Sequence, residues 1–68
     1  MEDKEKLKHL LEHWIEHNEE HAAEFRQWAD KAKSLDAAAV YDEIQEAANL
    51  LQQANEALTK ASEKLGNS

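Results

Sequence analysis

The chain has 68 residues, 15 acidic and 8 basic side chains, a net charge of −7, no cysteine, no proline and a single glycine. That length holds one small domain at most, and the missing thiols exclude disulfides and thiolate metal sites. Residues 9–24 carry five glutamates and no Lys or Arg, and residues 34–59 carry no cation at all, so there is no basic stripe for nucleic acid and nothing to draw the chain to an anionic membrane.

No apolar run approaches the ~20 residues that span a bilayer. The charged start "MEDKEKLKHLLEHW" does not read as a secretory signal. The expectation is a cytoplasmic protein without nucleic-acid or membrane partners. Its acidity favours attraction of cations, metal ions included.

A sequence without internal breakers and rich in Ala, Glu, Leu, Lys and Gln reads as all-α. In the first half, Leu7, Leu10, Leu11, Trp14, Ile15, Ala22, Phe25, Trp28, Ala29, Ala32 and Leu35 recur at spacings of three and four. They predict a helix over about residues 4–33, with Lys31 and Lys33 suiting its last turn. The connection "KSLDAAA" follows, in which Ser34 or Asp36 can cap the next helix. Ala37, Val40, Tyr41, Ile44, Ala47, Ala48, Leu51, Leu58 and Leu65 then predict a second helix over about residues 36–65, closed by Gly66 and Asn67.

So short a connection allows only an antiparallel two-helix hairpin, one domain over residues 1–68. Its register brings Trp28 near Ile44, Phe25 near Ala48, Trp14 near Leu58 and Leu7 near Leu65. Two helices bury little apolar surface against the entropy of ordering the chain. The second helix also has an edge of Ala47, Leu50, Ala54, Ala57 and Ala61 that would admit another helix closely. Together these predict a homodimer in the form of a four-helix bundle; the alternative is that the alanines only reflect helix propensity. An exchange of arms between two opened hairpins would show the same periodicity.

The stretch "HLLEHWIEHNEEH", residues 9–21, carries His9, His13, His17 and His21 at four-residue intervals. Each step of four turns about 40° around a helix. The row therefore starts in solvent at His9 and enters the helix–helix seam at His21, which shares its heptad position with Leu7, Trp14, Trp28 and Leu35. Asn18 falls at the middle of the apolar face. One reading is a buried polar layer of Asn18, Asn55 and His21 that fixes register and oligomeric state. The other is a metal site. Imidazoles at i and i+4 share a helix face and can chelate one ion. His17 and His21 are the best pair, His13 with His17 is next, and Glu20, Glu24 or Glu16 could add an oxygen or orient an imidazole. Two such pairs in a dimer would make a four-histidine site. A sulfur-free set of this kind suits Zn, Ni, Co or Cu.

Three overlapping His-x-x-Glu-His motifs match the inverted zinc-protease signature. Any helix rich in His and Glu produces that match, and a 68-residue hairpin has little room for a third ligand, an open coordination position and a cleft. No nucleophile constellation or phosphate loop is present, so the chain does not read as an enzyme. A haem pocket among Trp14, Phe25 and Trp28 is disfavoured because those positions read as core packing.

The stretch "LKHLLEHWIEHNEEHAAEFRQWADKAKSL", residues 7–35, resembles a Leu-x-x-Trp-x-x-His-Asn-x-x-His-Ala-x-x-Phe-x-x-Trp-Ala motif of small prokaryotic helical domains of no established activity. The resemblance implies a natural module spanning nearly the whole chain and singles out Trp14, His17, Asn18, His21, Phe25 and Trp28. The functional expectation is a small protein that holds a divalent transition metal for sensing, delivery or storage. Its competitor is a protein-interaction or oligomerisation module with no metal.

Overall fold

The computed structural model describes residues 2–66 and is an antiparallel hairpin of two helices, α1 (Glu2–Ser34) and α2 (Ala38–Gly66). It is a rod of 53 × 15 × 11 Å. Glu2, Asp3 and Glu5 open α1 and Lys31 and Lys33 close it, so charge complements the helix dipole at both ends. Among the described residues, no helix is long and apolar enough to cross a membrane.

The turn is built by backbone. Asp36 takes the left-handed conformation (φ 61°). The Ala37 amide donates to the Ala32 carbonyl at 2.8 Å and the Asp36 amide to the Lys33 carbonyl at 3.3 Å, the paired bonds of a Schellman closure. Neither predicted cap is used. Ser34 Oγ turns back to the Lys31 carbonyl, and Ala37 stands at the N-cap, its carbonyl accepting from the Val40 and Tyr41 amides. α2 accordingly starts at Ala38, two residues later than expected, because a left-handed Asp36 cannot be its first residue. At the far end α2 runs through Gly66; Asn67, the other expected terminator, lies outside the described residues. Lys33 Nζ sits 4.0 Å from the centre of the Tyr41 ring, joining the two helix ends across the turn.

The seam between the helices follows a narrow strip of α1: Leu11, Ile15, Asn18, Ala22, Phe25, Ala29 and Ala32, all buried or half-buried. Ala29 and Ala48 have no exposed surface. Small residues on a seam allow two helices to approach closely. The neighbouring strip, expected to lie inside, is left outside: Leu7 is 42 % exposed, Trp14 42 %, Trp28 55 % and Leu35 70 %.

Two amides fix the register. Asn18 Nδ2 donates to Asn55 Oδ1 at 2.9 Å, and Asn55 Nδ2 donates to the Ile15 carbonyl at 3.0 Å. Asn55 thus stands level with the turn between Ile15 and Asn18. Nearer the loop, Gln45 Nε2 donates to the Tyr41 hydroxyl, while Gln45 Oε1 is buried without a partner.

The hairpin has two unlike sides. On one, Arg26 reaches across to Asn49 Oδ1 at 3.1 Å and Gln52 Oε1 at 2.7 Å, beside a polar furrow that includes Glu19, Glu56 and Glu63. On the other, Phe25 and Trp28 of α1 and Ile44 and Ala47 of α2 line an apolar groove with Glu24 and Glu43 at its rim. Trp28 and Ile44, expected near each other, line this same groove.

Candidate functional site: an imidazole ladder on an apolar side

Because α1 is regular, residues four apart stack along it. The His13 and His17 rings are 4.7 Å apart at 44°, His17 and His21 are 5.3 Å apart at 70°, and His21 and Phe25 are 6.3 Å apart at 34°. His9 stands apart from this ladder and faces Glu12 at 4.0 Å.

All four histidines are exposed. That corrects the expectation that His21 lies half-buried in the seam. It shares a row with Leu7, Trp14, Trp28 and Leu35, and the whole row sits to one side of the strip that meets α2. The anticipated polar layer is correspondingly a pair, Asn18 with Asn55, and His21 takes no part in it.

Of the other candidate ligands, Glu24 stands at the rim of the apolar groove, and Glu20 is exposed on the same helix. Among the described residues, no three His, Asp or Glu side chains converge on a point that could hold a metal ion. What one chain brings together is a pair of neighbouring imidazoles, His13 with His17 or His17 with His21.

The ladder runs through an apolar surface. Leu7 and Leu10 precede it on α1, Trp14 stands beside its first ring, Trp28 and Leu35 follow it, and Val40 (47 % exposed) and Leu50 (55 %) stand on α2. Seen from the seam, the α1 row and the α2 edge of Ala47, Leu50, Ala54, Ala57 and Ala61 are both displaced toward earlier helix angles. In antiparallel helices that displacement puts them on the same side, the side of the Trp28–Ala47 groove. Sequence reading found both rows but assigned the α1 row to the interior. It missed the Arg26 bridge, since a lone arginine in an acidic helix gives no directional signal.

A family described as a domain of unknown function (DUF8180) matches residues 7–65. The chain belongs to this family. No curated protein and no solved structure matches it. The DUF8180 match runs from Leu7 to Leu65, so it takes in the seam, the imidazole ladder and the apolar side together.

Proposed function

We propose that this DUF8180 domain is a cytoplasmic interaction module whose apolar side is covered by self-association into a four-helix bundle. The carrying observation is the inverted distribution of side-chain size. Among the described residues the buried ones are Leu11 and four alanines, while the larger Leu7, Leu10, Trp14, Trp28 and Leu50 are each at least 36 % exposed. A folded monomer of this mass has a surface of roughly 4,400 Å² by the usual scaling; this chain exposes 5348 Å². The excess is on the order of the ~800 Å² per partner of a standard interface. Sedimentation equilibrium over a wide concentration range tests the reading. A mass twice that of the chain, lost in Trp14→Glu/Trp28→Glu, supports it; a monomer at every concentration refutes it.

The ring ladder favours a second reading beside the first: a divalent transition metal (Zn, Ni, Co or Cu) held by His17 and His21, with His13, Glu20 or Glu24 as further ligands. Ring centres 4.7 and 5.3 Å apart suit i, i+4 chelation. Its role would be sensing, delivery or storage. Calorimetry on the native chain and on His17→Ala/His21→Ala decides it: affinity weaker than about 10 μM, or equal affinity in both proteins, ends the metal reading.

A further inference from the structure

The apolar side is stepped. Asn55 stands level with the turn from Ile15 to Asn18, and this register carries along both helices. It sets Leu10 level with Ala61, Trp14 with Ala57, His17 with Ala54, His21 with Leu50, and Glu24 with Ala47. Glu24 and Ala47 indeed border one groove. Four of these five pairs put a large side chain on α1 beside an alanine on α2. The side is thus a tall ridge along α1 and a low shelf along α2.

We propose that a second copy of this chain docks on this side about a twofold axis parallel to the helices, so that each ridge lies on the other copy's shelf and the two His17–His21 pairs face each other across the interior as one four-imidazole metal site. The proposal rests on the self-association reading above and gives it a geometry and a ligand.

Shape selects the axis. With the axis parallel to the helices, Trp14 lies over Ala57 and His17 over Ala54, and only His21, level with Leu50, meets a large side chain, so the spacing between helices stays at about 8–10 Å. A twofold axis perpendicular to the helices would set ridge on ridge and shelf on shelf. The tryptophans would then force one pair of helices apart while the alanines left a void beside the other. In both arrangements neighbouring helices run antiparallel, so dipoles do not choose between them.

The same axis completes the metal site. One chain sets His17 beside His21, and among its described residues no third ligand converges on them. The axis keeps both copies at the same height, so His17 and His21 of each meet in the same layers. Ala54, level with His17, leaves the room that a larger residue would fill. Four nitrogen ligands and no sulfur fit a tetrahedral divalent ion such as zinc.

Spin labels test the arrangement, and the absence of native cysteine makes single sites unambiguous. Glu5→Cys and Ala23→Cys are both exposed. The proposed dimer puts the two labels of either variant within about 30 Å, the width of a bundle plus label arms. A perpendicular axis keeps Ala23 short but spreads Glu5 to about 45 Å, some thirty residues of helix rise. An exchanged-arm dimer spreads Ala23 itself to roughly 40 Å. Either long distance overturns the geometry while leaving self-association standing, whereas a monomeric mass removes both. Zinc is expected to bind at one ion per two chains and to tighten the dimer about tenfold or more, with both effects lost in His17→Ala/His21→Ala. One ion per chain, or none, overturns the shared site.

Discussion

α1 carries two parallel strips that differ in an unexpected direction. In the strip against α2 the buried residues are mostly small, Ala22, Ala29 and Ala32 with Leu11, while Ile15, Asn18 and Phe25 are half-buried. The strip beside it carries Leu7, Trp14, His21, Trp28 and Leu35, and all five are exposed. Side-chain size follows the closeness of approach each contact needs. The hairpin closes on itself through alanines because its two helices are held close by a tight turn. On the self-association proposed above, the larger side chains are the area that a second copy would cover.

The largest expected effect separates the two strips. Trp14→Ser with Trp28→Ser should abolish self-association, a loss of about 4 kcal/mol or more for two central aromatics, while circular dichroism of the monomer stays helical. Sedimentation and far-ultraviolet spectra on the same samples check both halves. Ala48→Leu should do the opposite. Ala48 has no exposed surface, so added methylenes must push the helices apart, costing about 1–3 kcal/mol of hairpin stability. Denaturant melts in the Trp14→Ser/Trp28→Ser background measure that cost free of dimerisation. If instead Ala48→Leu is neutral and the tryptophan pair unfolds the hairpin, the strips have been assigned the wrong way round.

Most of the architecture was legible because helix periodicity, the absence of breakers and a short polar connection agree. Which of two adjacent apolar strips faces the partner helix was not. Leu7, Leu11, Trp14, Ile15, Phe25 and Trp28 form one broad apolar arc, and hydrophobicity ranks Trp14 above Ala22 for burial. Packing ranks them the other way, because close approach is a pairwise property of two helices, and Ala22 lies on the strip that meets α2 while Trp14 does not. The histidines inherit the same shift: their spacing fixes the ladder, but whether His21 meets α2 or solvent depends on a rotation that no single-helix pattern sets. The Asn18–Asn55 contact was legible, since two amides on inward faces have few other partners. The turn misled because Ser34 and Asp36 have the composition of N-caps, while a Schellman closure uses backbone groups that any sequence supplies.

A mid-sized effect concerns the register between the strips. Asn55 holds both Asn18 and the Ile15 carbonyl. Asn55→Ala leaves two part-buried groups without their partner and should cost about 1–3 kcal/mol. Replacing both amides, Asn18→Leu with Asn55→Leu, should recover much of that stability, because the Asn18 amide is no longer stranded and only the Ile15 carbonyl loses a donor. The recovered protein should lose the single register, read as broadened spin-label distances at Glu5→Cys. A double variant as unstable as Asn55→Ala would mean that the pair supplies stability and not alignment.

The smallest effect lies in the turn and leaves both strips untouched. Asp36 holds φ at 61°, a conformation that costs a residue with a Cβ about 1–2 kcal/mol relative to the right-handed region, somewhat less for aspartate. Asp36→Gly removes that strain but adds conformational freedom to the unfolded chain, which offsets part of the gain. The expected net is a stabilisation of less than about 1 kcal/mol. Asp36→Ala keeps the Cβ and loses aspartate's tolerance of this conformation, so it should destabilise by a similar amount. Since the closure runs through the Ala37 and Asp36 amides, neither change should alter self-association at matched fraction folded. Opposite signs for glycine and alanine in denaturant melts are the signature. Equal signs would show that the Asp36 side chain, and not its backbone conformation, decides how α1 hands over to α2.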